Sequence, residues 1–497
     1  MEKRPNILFL ISDQHHAGVL GCEGHPDVRT PHIDRLAAEG VRFSRAYCQD
    51  AICTPSRCSL FSGYYPRTLG CLGNSDRSPF MKDVVPLQES FHRHGYATAA
   101  FGKRHLYLGC DRGWDIKASH LVIESPDDNY VHWVTDQGHG ETFDRDWAAE
   151  FGRGAENTPS YDREIPHALL TVRESQLPDD LTMEAWTARR AGDFLRARAG
   201  EEDPFFCVAS FYRPHQPYTP LPKYFGRFDR SHWGNGRNAG DGLAEPRSLR
   251  QPVEDLPPAF QAQTASKAGP FQFRLAREDE QIYRDYLAAY YALVEEIDDH
   301  VGTLLHVLEE TGQLENTIVL YTSDHGDFAG HHGMAEKCSV GHNVYEDTVR
   351  VPMLFRFPGF ASGRTDQSLV ELLDLYPTLA EVCGLPLDGL PKPPEGRSLQ
   401  RLLRGEDEGG WRKFTVTQSW NQSTVITDRY KLGVWTEPGR APYRDFRSFG
   451  DMLFDRSVDP EELHNMSGNP GYAEVEADLR SLLEGWQHDH MLHSEKL

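Results

Sequence analysis

Four unbroken apolar runs, each stopped abruptly by charged or imidazole side chains, constrain this chain most. They are Asn6–Ile11, Ala97–Phe101, Phe205–Phe211 and Thr317–Tyr321; a fifth run, Val351–Phe355, lacks such an ending. Segments apolar on both faces read as central strands of a parallel sheet, covered on each side. Helical patterns lie between them. Thr30-Pro31 can cap and start a helix that runs through Leu36 and stops at Gly40. Leu287, Tyr290, Val294, Ile297, Val301, Leu304 and Leu308 recur at alternating steps of three and four, which predicts a long amphipathic helix ending near Gly312. Strand and helix in alternation predict a doubly wound α/β sheet.

Ligands of such sheets bind beyond the carboxyl ends of the strands. The residues there are Ser12-Asp13-Gln14-His15-His16, Gly102-Lys103-Arg104-His105, Arg213-Pro214-His215 and Ser323-Asp324-His325-Gly326-Asp327. Four strand ends thus deliver carboxylates, imidazoles and amines to one edge. Weakly periodic stretches near 110–200 and 217–275 read as insertions over that edge. Residues 1–385 read as the catalytic domain, the Pro/Gly-rich passage 386–410 as a linker, and 411–497 as a small C-terminal α+β domain with strands near Phe414–Gln418, Thr424–Thr427 and Tyr430–Trp435 and a helix near Ala473–Trp486.

Charge and targeting narrow the partners. Lys and Arg total 52 against 75 Asp and Glu, a net charge of −23. Such a surface repels nucleic acid and anionic membranes, so neither is an expected partner. No apolar run approaches the about 20 residues of a membrane span. The run Ile7–Ile11 is too short for a secretory signal, so a cytoplasmic enzyme is expected. The nine cysteines form no regular framework and read as mostly buried, reduced thiols.

The stretch Cys53-Thr-Pro-Ser-Arg57, continuing to Gly63, resembles the type I sulfatase signature. Asn6–Gln14 resembles the family's opening metal strand, Gly102–His105 its G-K-x-H, Thr322–Asp327 its T-S-D-H-G-D, and Lys337 its later lysine. Leu453–Glu462 resembles a further C-terminal element of the family. The resemblance implies an alkaline-phosphatase-like α/β fold, with a central, mostly parallel sheet flanked by helices. It also implies a maturation enzyme that oxidises Cys53 to formylglycine. One hydroxyl of the hydrated aldehyde attacks sulfur; the second then loses its proton, the carbonyl re-forms and sulfate leaves.

The residues make chemical sense beside that resemblance. Asp13 and Asp324 suit a hard divalent cation, with Gln14, Cys53 and His325 completing the expected ligand set. Ca²⁺ is the leading expectation; an imidazole ligand also admits Mg²⁺ or Mn²⁺. Arg57, one turn after Cys53, can hold the nucleophile, with Cys53 expected to cap the helix. Lys103 and Lys337 would clamp the sulfate oxygens. His105 would polarise or deprotonate the hydrate, and His215 would protonate the leaving alcohol. Asn74 contacts substrate or makes a turn. His15 and His16 line the pocket or the surface. His332, at the place of a family G-x-H-G histidine, is a candidate for supporting the site from behind. Trp420-Asn421 projects to the pocket from the C-terminal domain or packs elsewhere. The expected reaction is hydrolysis of a sulfate monoester, with a sugar, as a small molecule or an oligosaccharide, the leading expectation for the alcohol. Gln14 and His325 depart from many sulfatases and keep a phosphonate monoester or phosphodiester hydrolase as the alternative; a non-catalytic binder of sulfated glycans is a third reading.

Overall fold

Asn6–Asp13 is the central strand, all eight residues buried, with parallel neighbours Thr317–Ser323 and Phe205–Pro214 on its two sides. The sheet has eight strands, in the order Arg364–Asp366, Val41–Phe43, Met353–Arg356, Thr317–Ser323, Asn6–Asp13, Phe205–Pro214, Ala97–Gly102, Ile116–Ala118. This computed structural model describes residues 4–74, 83–106, 109–147, 172–236, 241–258, 261, 280–337, 344–388, 390–406, 410–419, 422–435, 447 and 450–490.

Both faces of the sheet are covered. Ile7, Phe9 and Ile11 pack with Leu60, Phe61, Leu87, Phe91 and Leu379 on one side. Leu8 and Leu10 pack with Trp186, Leu195, Ile297, Val301 and Leu304 on the other. Alternate residues of one strand thus feed two cores, as an unbroken apolar run requires. The predicted helices form at Pro31–Glu39 and Glu280–Glu310. The architecture is the expected one: a central, mostly parallel sheet flanked by helices, with a small C-terminal sheet beside it.

Three readings of the sequence need correction. Val351–Phe355 was expected as a parallel strand, yet Met353–Arg356 runs antiparallel to Thr317–Ser323, while Arg350–Val351 joins a separate small sheet. Pro352 lies between them and has no N–H to continue a ladder. Part of the stretch 110–200 belongs to the main layers: Ile116–Ala118 is the edge strand, and helix Met183–Ala197 packs against the sheet. The passage 386–410 is not a free spacer either, because Leu399, Leu402 and Leu403 are buried in the first core.

A second, antiparallel sheet of Phe414–Ser419, Gln422–Thr427, Tyr430–Trp435 and Met452–Asp455 carries helix Ala473–Asp489 on one face. Its first strand docks beside the segment before Cys53, with the Gln418 N–H donating to the Gln49 carbonyl at 2.7 Å. Among the described residues no helix is long and apolar enough to cross a membrane. Seven of the eight described cysteines are buried; Cys338 lies outside the described residues.

Candidate active site

Strand register builds the centre. Ser12 lies opposite Ser323 in adjacent parallel strands, so Asp13 and Asp324 emerge side by side. Both are fully buried. Helix Cys53–Ser62 enters with its first residue at the same edge. Ile52, not Cys53, occupies the cap position, and the Asn74 carboxamide oxygen accepts the Thr54 N–H at 3.0 Å. Asn74 therefore closes the turn that presents Cys53.

One ligand atom from each of Asp13, Cys53, Asp324 and His325 lies within 4.8 Å of all the others. The Cys53 sulfur is 3.2 Å from His325 Nε2 and 3.8 Å from Asp13 Oδ1. Two carboxylates, an imidazole and residue 53 make a donor set that fits one divalent cation. Gln14 stands beside this group with φ 66°. Its backbone N–H donates to Asp324 at 3.1 Å, while its side chain bonds Asp327 and Lys337.

Arg57 is buried completely and joins four groups. Nε donates to Asp324 at 2.7 Å, one Nη to Asp13 at 3.1 Å, and the other to Ser210 Oγ and the Lys103 carbonyl, each at 2.9 Å. Lys103 pairs with Asp13 and reaches the Cys53 sulfur at 3.6 Å. Burial alone would raise the Cys53 thiol, but Lys103, Lys337 and His325 outweigh it and hold the thiol well below its ordinary range. Asp13 also stays below the usual carboxylate range: burial and Cys53 push it up, and Lys103, His215 and Arg57 overcome them.

His105 and His215 both reach the Cys53 sulfur. His105 has φ 50° and donates its backbone N–H to Glu124 at 2.8 Å. His215 Nδ1 lies 2.8 Å from the Gln216 carbonyl, which fixes the proton there and leaves Nε2 bare. Burial, then Lys337 and Lys103, pull its pKa down to about 4.

Other candidates lie elsewhere. His15 is held in the core by Tyr321 Oη at 2.7 Å and the Val19 carbonyl at 3.0 Å. His16 bonds Asp347 at 3.0 Å, and His332 faces the same carboxylate at 3.3 Å. Trp420 and Asn421 fall outside the described residues. Sequence reasoning missed Ser210, Asp327 as the partner of Gln14, and Tyr212, whose ring lies 4.9 Å beneath Lys103 Nζ. Asp327 was visible in the T-S-D-H-G-D run, but its partner was not.

A buried thiol, paired carboxylates and a ring of cations at the carboxyl edge of a parallel sheet are equipment suited to hydrolysis of an anionic ester. A family model for sulfatases matches residues 5–385, and one for the C-terminal region of N-sulphoglucosamine sulphohydrolase matches 330–489. The chain belongs to the sulfatase family, and its activity is hydrolysis of a sulfuric ester. It is 25% identical to an N-acetylglucosamine-6-O-sulfatase of Bacteroides thetaiotaomicron, over 98% of this chain and 86% of that one. Its fold matches a phosphonate monoester hydrolase of Agrobacterium radiobacter with TM-score 0.75 and 22% identity, covering 98% and 96% of the two chains. It also matches a protein solved with its substrate D-glucosamine-2-N,6-O-disulfate, with TM-score 0.72 and 21% identity over 98% of each chain.

Proposed function

We propose that this sulfatase cleaves the sulfate monoester of a sugar, with residue 53 acting as formylglycine and one divalent cation, Ca²⁺ first, at Asp13, Asp324 and His325. The observation that carries the reading is the convergence of Asp13, Cys53, Asp324 and His325 within 4.8 Å, ringed by Arg57, Lys103 and Lys337. As the hydrated aldehyde, residue 53 supplies the hydroxyl that attacks sulfur and a second hydroxyl whose deprotonation expels sulfate. A cation held there would draw charge from the sulfate oxygens.

The remaining chemistry falls to the chain's own side chains. Arg57 fixes both carboxylates from behind, so their oxygens cannot swing away. Lys103 and Lys337 supply positive charge where the sulfate oxygens would sit. His105 is placed to accept a proton from the hydroxyls of residue 53. His215 presents Nε2 on the same sulfur side, towards the leaving alcohol. A sulfate anion lodged between His215 and the two lysines would offset their repulsion and favour the imidazolium that gives up this proton. The sugar reading draws support from the relatives' named substrates.

The test is a substrate panel with matured enzyme and a Cys53→Ala control. Intact mass should show residue 53 lighter than cysteine by about 18 Da, the mark of formylglycine. Sulfated mono- and oligosaccharides, choline sulfate, an aryl sulfate and phenyl phosphonate are then compared by kcat/KM. A sulfated sugar should lead, and Cys53→Ala should abolish turnover. Chelation should silence the enzyme, and Ca²⁺ should restore it better than Mg²⁺ or Mn²⁺. If phenyl phosphonate outran every sulfate, the alternative reading would replace this one.

A further inference from the structure

His120 is 2% exposed, yet neither of its ring nitrogens makes a hydrogen bond among the described residues. Buried side-chain nitrogens are seldom left this way. Register explains its position. Ile116–Ala118 runs parallel to Ala97–Gly102, with Ala118 opposite Phe101. His120, two residues past that pair, emerges at the same level as Lys103, two past it on the neighbouring strand. It is thus a fifth strand end that delivers an imidazole to the ligand edge.

The loop that bears it is tied down. Glu124 accepts the Ser119 hydroxyl at 2.7 Å and the backbone N–H groups of Arg104 and His105 at 3.0 and 2.8 Å. The Tyr212 ring joins the parts into one wall. Its centroid lies 4.8 Å from His120, 4.9 Å from His215 and 5.3 Å from Trp147, and Lys103 Nζ lies 4.9 Å from it. Among the described residues three more buried atoms lack hydrogen-bond partners: His105 Nδ1, Gln216 Oε1 and Thr54 Oγ1. One belongs to a residue that reaches the Cys53 sulfur, one adjoins His215 and one adjoins Cys53. Incomplete hydrogen bonding gathered around one nucleophile marks a place where ligand atoms complete it.

The ring's chemistry selects the ligand group. A neutral imidazole offers one N–H and one bare nitrogen, and a hydroxyl can partner either, accepting from the first or donating to the second. Burial, then Lys103 and His105 against Glu124, keep His120 uncharged, with its pKa down to about 3. It is therefore no second anion clamp. Resting on the sulfate-ester reading above, we propose that His120 reads a hydroxyl of the leaving alcohol. It is a specificity residue that favours sulfate esters of polyols, such as pyranosides, over esters of bare aryl alcohols.

The test uses matured enzyme as wild type, His120→Ala and His120→Gln, with 4-nitrophenyl sulfate and the best-cleaved sulfated monosaccharide of the panel. His120→Ala should raise KM for the sugar about tenfold, with kcat and the aryl sulfate kcat/KM within about twofold of wild type. His120→Gln, whose amide again offers a donor and an acceptor, should recover part of the loss; it also keeps the test open should the alanine variant fold poorly. The desulfated sugar should inhibit aryl sulfate turnover, and His120→Ala should weaken that inhibition to the same degree. Equal losses on both substrates, or no loss on either, would overturn the proposal. So would wild-type enzyme that cleaves the aryl sulfate but no sulfated sugar, and that outcome leaves sulfate-ester hydrolysis standing. Enzyme with full formylglycine that cleaves no sulfate at all would sink the parent reading and this one with it.

Discussion

Arg57 concentrates the geometry of the site in one side chain. Its planar fork meets two carboxylates, a hydroxyl and a carbonyl in fixed directions, and the point charge of lysine cannot do so. Arg57→Lys should lower kcat by about 100-fold or more, with KM changed less, because positioning is lost before charge is. In metal-free protein Arg57→Ala leaves the buried Asp324 without its guanidinium, while Asp13 keeps Lys103, and should cost about 3–5 kcal/mol in urea unfolding. Glu184 gives a prediction in pH. Burial raises its carboxyl to about 7, with Glu296 adding to the rise, while Arg213 opposes it. Its folded value lies above the unfolded one of 4.5, so the folded state holds the extra proton between them. Its contribution to stability is therefore full below pH 4.5 and is lost as the pH rises towards about 7. Glu184→Gln should flatten the fall of Tm across that window; an unchanged slope would show that another group is responsible. The site's residues were legible one by one because each follows an apolar run or sits in a family motif. Their partners were not. That Gln14 turns its amide to Asp327 and Lys337 depends on three loops meeting, which no spacing in the chain encodes.

Elements succeed or fail by how much of their burial shows in the sequence. Strands buried on both faces, such as Asn6–Asp13 and Phe205–Pro214, announce themselves as runs. Edge strands of three residues, Arg364–Asp366 and Ile116–Ala118, are too short to show a period, and His120 was missed with its strand. The direction of Met353–Arg356 was illegible for a different reason: an apolar run has no arrow. Where the sheet hands over to the site, backbone fit is tight. Gly102 has φ 94°, and a Cβ built there would lie 2.0 Å from the Ser210 carbonyl oxygen. Gly102→Ala should part the ends of two strands and cost at least about 2 kcal/mol. It should also cut activity by displacing Lys103, the next residue, and a chemical denaturation curve beside a kcat measurement checks both.

At the scale of the molecule, the C-terminal sheet is bolted to the catalytic body through a buried lysine. Lys431 is fully buried; it donates to the Val344 carbonyl at 3.1 Å and pairs with Glu346 at 2.7 Å and Glu462 at 2.6 Å. Glu346 opens the short helix that leads back to Asp347 and the Gly326–Asp327 turn. Lys431→Met strips the buried Glu462 of its lysine, while the half-buried Glu346 keeps Arg456 and Arg350, and should cost about 3 kcal/mol. The two sheets of the wild type should melt in one transition; separate transitions in calorimetry would refute the bolt.

Cys53 is 2% exposed in the first turn of the helix it begins, and four residues before it the Gln49 carbonyl accepts the Gln418 N–H. That seal imposes a schedule. On the formylglycine reading proposed above, an oxidising enzyme the size of a protein would have no path to this thiol once the chain has closed, so conversion would belong to the interval between synthesis and closure. Chain that has folded first should stay a thiol however long it meets its activator, and only unfolding should reopen the chance. The fraction of active molecules in a cell would then record a race between two clocks, and warming or slowing synthesis should shift its outcome without touching a single residue.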